Sequence, residues 1–246
     1  MKTAIIIPAR LNSTRLPGKI LIDLNGKPLI QRTFEACLSS ELCSNVFIAV
    51  DDKKVEEICK KFTANVIMTG THHISGTSRI AEAVQQIDAD VIINVQGDEP
   101  FIDAGTIDQL IQALTGDEQV IIASAYSEIK TEEEVNNPNL VKVVTALNSD
   151  AIYFSRFPIP FNRDNQSMKP ESFKKHIGIY GYKKVFLENF DKLQPSFLEN
   201  TEKLEQLRFI ENGYKIRMIK VEAFEKGIDT PEDLEWARAE FIKRIL

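Results

Sequence analysis

Isoleucine stands at three successive positions near the start of the chain, Ile5-Ile6-Ile7. The segment runs straight into Pro8-Ala9-Arg10-Leu11-Asn12-Ser13-Thr14-Arg15-Leu16-Pro17-Gly18-Lys19. Side chains alternate between the two faces of a strand, so an unbroken β-branched run suits a strand buried on both faces. Such strands belong to parallel sheets covered by helices. In open α/β sheets the ligand sits beyond the carboxyl ends of the strands, which is where Arg10, Arg15 and Lys19 would converge. Three cations there suit a polyphosphate. A solvated basic loop carries the same residues; the position directly after the first strand is what favours the ligand.

The first half repeats this pattern. Apolar β-rich runs at 4–7, 46–50, 66–68, 91–95 and 120–125 alternate with helical patterns at 28–38, 53–62, 77–86 and 104–114, the βαβ rhythm that right-handed crossovers build into a parallel sheet. Past residue 126 the rhythm changes to extended segments at 140–146, 151–154, 174–182 and 215–221, with helices at 183–190, 201–212 and 232–244. The expected fold class is α/β. A mostly parallel central sheet with helices on both faces occupies residues 1–126, and an α+β elaboration occupies 127–246, in one domain. The stretch from Phe157 to Pro170, rich in Pro, Asn and charge, is expected to be a mobile loop.

A net charge of −6 argues against nucleic acid as a partner, whose binders present a broad basic face, but not against a small anion held by local cations. No apolar run approaches the ~20 residues that span a bilayer, and Met1-Lys2-Thr3 runs into the first strand without the apolar core and small-residue cleavage site expected of a secretory signal. A cytoplasmic protein without a membrane partner is expected. Cys37, Cys43 and Cys59 are odd in number and lack CxxC spacing, so reduced thiols are expected rather than disulfides or a metal site.

Five further segments carry candidate chemistry. Asn94-Val95-Gln96-Gly97-Asp98-Glu99-Pro100 puts an acidic pair at another strand's carboxyl end. Magnesium takes carboxylates together with substrate phosphates, which makes Asp98 its expected ligand, although Asp also favours turns leading into helices. In Gly227-Ile228-Asp229-Thr230-Pro231-Glu232-Asp233-Leu234, Thr230 reads as N-cap, Pro231 as the first helical residue and Asp233 as the partner in a capping box. Asp229 lies outside that device and is free to meet Asp98 at a metal, while acidic residues near helix starts are favoured in any case.

Strand periodicity in 174–182 puts His176, Gly178, Tyr180 and Tyr182 on one face. The glycine is expected to leave room for a hydroxylated ligand between imidazole and phenol; a satisfied His–Tyr pair is the plainer reading. Arg156 at a strand end suits a carboxylate or an ordinary ion pair. Leu204, Leu207 and Ile210 form a core stripe, beside which Glu205 and Gln206 can reach ligand hydroxyls or simply face solvent. Walker A, GxGxxG, HExxH and GxSxG patterns do not occur in the sequence.

These segments together resemble the 3-deoxy-manno-octulosonate (Kdo) cytidylyltransferases, the CMP-Kdo synthetases of lipopolysaccharide assembly. The likeness runs nearly end to end: PARxxSTRLPGK at Pro8–Lys19, SGTxRIAE at Ser75–Glu82, NVQGDEP at Asn94–Pro100, NPNxVKVV at Asn137–Val144, YFSR at Tyr153–Arg156, HxGIYGY at His176–Tyr182, LEQLR at Leu204–Arg208 and DTPEDLE at Asp229–Glu235. It implies a homodimeric, cytoplasmic, Mg2+-dependent enzyme with a nucleotide-diphospho-sugar transferase (Rossmann-like) fold, forming CMP-Kdo and pyrophosphate from CTP and Kdo. By the same resemblance Pro8, Ala9, Arg10, Arg15 and Lys19 bind the nucleotide, the three cations at its triphosphate. Ser75, Gly76, Arg79 and Gln96 help read cytosine. Asp98 and Asp229 hold the metal and share catalysis with Lys19, while Arg156, His176, Tyr180, Glu205 and Gln206 surround the sugar. Two departures stand out: Glu225-Lys226-Gly227-Ile228 where the family often has a glycine-rich run, and a short 162–175 segment. A cytidylyltransferase for another acidic sugar, such as a sialic acid or amino-substituted Kdo, and a non-catalytic nucleotide-binding protein of the same fold are the competing readings.

Overall fold

The first strand, β1 (Thr3–Ala9), is buried at every position. Ile5 and Ile7 enter one core while Ala4 and Ile6 enter another, as a strand sandwiched between two layers requires. The computed structural model describes residues 1–11, 16–163, 169–222 and 227–245. After β1 the first half continues through α1 (Leu29–Cys37), β2 (Asn45–Val50), α2 (Lys53–Cys59), β3 (Val66–Met68), α3 (Gly76–Ala83), β4 (Val91–Asn94), α4 (Ala104–Gly116) and β5 (Ile122–Glu128). The second half adds α5 (Glu132–Asn136), β6 (Lys142–Thr145), β7 (Ala151–Ser155), β8 (Lys174–Lys183), α6 (Lys184–Leu187), α7 (Phe197–Glu202), α8 (Gln206–Glu211), β9 (Ile216–Lys220) and α9 (Pro231–Ile245).

The strands form one sheet in the order β3-β2-β1-β4-β8-β5-β9, with β6 and β7 branching from β8. Along this path β8 alone runs against the other strands: it is antiparallel to both β4 and β5, whereas the β3-β2-β1-β4 pairs and the β5-β9 pair are parallel. A mostly parallel sheet therefore holds. Helices α1, α2 and α4 pack on the face of Ile5 and Ile7, and α3, α6 and α8 pack on the opposite face.

Two predicted helices differ from the observed ones. The helix expected over 201–212 is two helices, because Lys203 adopts the left-handed conformation (φ 55°) and ends α7. The one expected over 183–190 is the single turn of α6 followed by a 3-10 turn at Phe190–Lys192. The short α5 has no predicted counterpart, since five residues with one buried apolar side chain, Val135, offer no periodicity to read. Part of the loop expected over 157–170, together with Arg15 and Glu225-Lys226, lies outside the described residues.

Cys37, Cys43 and Cys59 carry free thiols, and burial pushes that of Cys59 up to about 12. No helix among the described residues is long and apolar enough to cross a membrane.

Candidate active site

Beyond the carboxyl end of β1, Gly18 (φ 65°) turns the chain into a 3-10 segment, Lys19–Leu21, anchored by the buried Ile20. The Lys19 ammonium donates to Asp98 Oδ2 and, at 2.9 Å, to Asp229 Oδ1. Its partners stand 79 and 210 residues downstream, and the fold brings both to one nitrogen.

Asp98 is held by its backbone. A Cβ on Gly97 would stand 3.1 Å from the Pro8 carbonyl oxygen and 3.2 Å from Ile30 Cδ1, so glycine lets this turn lie close against β1 where a side chain would crowd it. Thr33 Oγ1, fully buried in α1, donates to the Gly97 carbonyl at 3.0 Å, and the Ile228 amide donates to the Asp98 carbonyl at 2.9 Å. The cap of α4 is Asp103, which accepts from the Thr106 amide at 2.8 Å, so Asp98 is not spent on helix initiation. Asp229 is positioned by the capping box read from the sequence. Asp233 Oδ2 accepts from the amides of Asp229 (3.1 Å) and Thr230 (2.9 Å), and Thr230 Oγ1 accepts from the Asp233 amide (3.2 Å).

Burial by itself would lower the Lys19 pKa, but the charges and hydrogen bonds of Asp98 and Asp229 outweigh it and leave it raised. Next to Asp98, the Glu99 carboxyl is driven well above the usual carboxylate range by burial first and then by the charges of Asp98 and Asp229. Its Oε2 is buried without a hydrogen-bond partner among the described residues. Two convergent carboxylates beside an orphaned third carboxyl oxygen are the donor chemistry of a hard cation such as Mg2+, so the residues present fit that ion.

A second cleft adjoins this cluster, lined by Pro8, Arg10, Ser75, Gly76, Arg79 and Gln96 among others, with a volume of about 180 Å³. That is below the roughly 300–1,000 Å³ of pockets that enclose whole ligands, and suits a single ring of one. Arg10 is exposed there, whereas the Ala9 side chain belongs to the core. Ser75 caps α3 by accepting from the Ser78 amide at 3.1 Å. Arg79 is almost wholly buried, with Nη1 donating to Thr69 Oγ1 and Nη2 to Asp51 Oδ2, both at 2.7 Å. Its guanidinium ties β2 and β3 to α3.

In the second half, Ile177 and Ile179 face one core and Tyr180 and Tyr182 the other, which is the expected alternation. The expected gap between His176 and Tyr180 is absent. Imidazole Nε2 and phenol oxygen lie 3.0 Å apart, and Ser124 Oγ is 3.0 Å from the same nitrogen. Gly178 faces open space instead, because the β5-β8 register shifts after Ser124 and the bulge draws His176 and Tyr180 together. Burial lowers the His176 pKa to about 3, leaving a neutral ring at ordinary pH.

Arg156 spends its guanidinium on backbone carbonyls: Nε donates to Glu202 O at 2.8 Å, Nη1 to Pro138 O at 3.0 Å and Nη2 to Lys203 O at 3.4 Å. Lys142, which stands outside the candidate site residues, is completely buried, and its ammonium donates to the carbonyls of Asn137, Leu140 and Arg156 at 2.6–3.0 Å. Its only sequence signal is a lysine inside an apolar β run, Val141-Lys142-Val143-Val144. Glu205 is half-buried at the start of α8, close enough for its charge to raise the phenol pKa values of Tyr180 and Tyr182 behind the larger effect of burial. Gln206 is buried.

A sheet whose carboxyl edge presents paired carboxylates, a bridging lysine and a ring-sized cleft has the parts that an α/β nucleotidyltransferase needs. The comparisons with known proteins narrow this class. Residues 4–216 match the family described as "Cytidylyltransferase". The 3-deoxy-manno-octulosonate cytidylyltransferase of Chloroherpeton thalassium is 46% identical over the whole of both chains, and that of Trichlorobacter lovleyi 44% identical over 97% of this chain and 98% of its own. A solved structure of CMP:2-keto-3-deoxy-manno-octonic acid synthetase complexed with CTP superposes with a TM-score of 0.94 at 40% identity, covering 99% of this chain and 100% of its own. The chain belongs to the 3-deoxy-manno-octulosonate cytidylyltransferase family.

Proposed function

We propose that this protein transfers the cytidylyl group of CTP to 3-deoxy-manno-octulosonate, forming CMP-Kdo and releasing pyrophosphate, the step that readies this sugar for lipopolysaccharide. Family membership along the full length supports the reading. The structural observation that carries it is the gathering of Asp98 and Asp229 around Lys19 at the mouth of β1 and β4. The anomeric hydroxyl attacks the α-phosphorus in line, the α–β bridging P–O bond breaks, and pyrophosphate departs with the electron pair.

Such a reaction asks the protein mainly for alignment and charge neutralisation. Arg10, Arg15 and Lys19 balance the triphosphate. Pro8, Ser75, Gly76 and Gln96 frame the base, with the Gln96 amide offering both a donor and an acceptor, while Ala9 fixes the strand end and Arg79 the cleft wall. Asp98 and Asp229 hold Mg2+, which when bound neutralises phosphate charge and makes the attacking hydroxyl more acidic. On the sugar side, Glu205 and Gln206 receive hydroxyls, the neutral His176–Tyr180 pair forms a rigid floor, and Arg156 steadies the surrounding segments. A homodimer is supported by exposed apolar side chains at Leu147, Ile152, Phe157 and Phe161, and sedimentation in solution tests it. A cytoplasmic setting agrees with the nucleotide substrate and the free thiols.

Pyrophosphate release on mixing the protein with CTP, Mg2+ and Kdo is the deciding assay, run beside a sialic acid and 8-amino-Kdo. Release with Kdo is expected. Release with another sugar alone would replace the assigned substrate, and none with any sugar would refute the catalytic reading.

A further inference from the structure

Two of the three histidines in the chain are adjacent, His72 and His73; His73 borders the ring-sized cleft, but neither is given a part in the reaction above. Neighbouring side chains on an extended strand point to opposite faces, but the chain turns at 71–72 after β3. That turn puts the two imidazoles on the same side, with ring centroids 4.2 Å apart. Glu82, from the last turn of α3, completes the group. Its Oε2 lies 2.5 Å from His73 Nε2, and one donor atom from each of the three side chains lies within 4.8 Å of the others.

We infer that His72, His73 and Glu82 form a second metal site, selective for a first-row transition ion of the Zn2+ kind and separate from the carboxylates at Lys19. Two imidazoles and a carboxylate are the donor set that zinc takes when three protein ligands leave a fourth position open to water. Magnesium prefers an all-oxygen shell and is the wrong ion for it. Zinc's donors stand about 2 Å from the ion, so modest side-chain rotations bring the three together.

The surroundings are arranged for such a group. The Gly70 amide donates to both oxygens of Glu82, at 3.2 and 3.0 Å, orienting the carboxylate as outer hydrogen bonds orient metal ligands. A Cβ on Gly70 would collide with the His72 ring at 2.4 Å, so the glycine is what allows that imidazole to fold over the cluster. Two nearby cations are already neutralised: Arg79 by Asp51, and Arg208 by both oxygens of Glu199 at 2.7 and 2.6 Å. His73–Glu82 alone would be a plain ion pair; His72 leaning over it from the exposed side makes the third donor.

The test is calorimetric titration of Zn2+ into the untagged full-length protein, freed of transition metals and kept in excess Mg2+. One saturable Zn2+ per chain is expected. Substituting His72→Gln or Glu82→Gln should weaken it by well over the ~10-fold that changing an outer-shell partner already costs. Asp98→Asn should leave the Zn2+ isotherm unchanged. Co2+ in place of Zn2+ should give a visible absorption band in the wild type that His72→Gln, an exposed change with little reach into the fold, abolishes. Absence of a saturable site, an unchanged isotherm in His72→Gln, or loss of binding in Asp98→Asn would each overturn the assignment.

Discussion

Lys19 and Lys142 are both lysines with well-shielded ammonium groups, and they hold opposite kinds of partner. Lys19, in the first half, sits between two carboxylates; Lys142, in the second, donates to three backbone carbonyls. The pKa of Lys19 is raised. That of Lys142 is lowered, by burial first and by the Arg156 charge, against the opposing pull of Glu202. Carboxylates can exchange an ammonium for a metal ion, so the first arrangement can be remade when substrate arrives. Backbone carbonyls at the ends of β6 and β7 are fixed by the chain itself, so the second is a fixed brace. The same contrast separates exposed Arg10, at the edge of its cleft, from Arg156, tied to three carbonyls.

The sharpest test of this contrast is Asp98→Asn. It should reduce pyrophosphate release by far more than the ~100-fold ceiling typical of outer-shell changes around a metal, while the thermal midpoint stays close to wild type. A folded variant with normal turnover would break the comparison on its first side. Lys142→Met addresses the other side. It removes a donor from three carbonyls, of which that of Asn137 keeps the Leu140 amide; at about 1–3 kcal/mol for each of the others that stays buried and unpaired, a loss of roughly 2 kcal/mol or more is expected in urea melts. The surviving folded fraction should keep its KM for CTP, and equal stability would show that the brace is not one.

Gly97→Ala adds a single methyl against the Pro8 carbonyl and should displace the Asp98 turn. A misplacement of about 1 Å can cost about 100-fold in kcat, so the smaller shift needed here should cost on the order of 10-fold with little change in melting, and unchanged turnover would mean that the turn adapts freely. The smallest effect is expected from His176→Gln. The native pKa of His176 lies near 3, against an ordinary value of 6.5. Between those limits the unfolded chain takes up a proton that the native protein refuses, so stability falls as pH drops through that window. The variant should lose less stability between neutral pH and about pH 4, and identical acid profiles would place the imidazole in contact with water.

The β1–β4 half was legible in sequence because its strands are buried on both faces and its helices carry apolar stripes. Ile5-Ile6-Ile7 and the 104–114 pattern need no tertiary information. The carboxyl-end rule and the capping logic at Thr230 located Lys19, Asp98 and Asp229. Three features were beyond reach for physical reasons. The direction of β8 is set by the strands it pairs with, not by its own alternation. The break at Lys203 needs a left-handed residue with no glycine to announce it. Thr33 reads as one polar interruption of an apolar helix face until Gly97 is seen above it. The His176–Tyr180 gap failed because a register shift after Ser124 is invisible to strict two-residue periodicity.

The place of β8 also dictates an order of events at the ribosome. Until residue 183 has emerged, β4 and β5 each display a bare edge toward a slot that only this later strand fills. Bare edges recruit strands from other chains, and incompletely made proteins are prone to that failure. A gene shortened after β5 would therefore give aggregating fragments instead of a miniature nucleotide binder, even though most of the nucleotide cleft is encoded upstream of the cut.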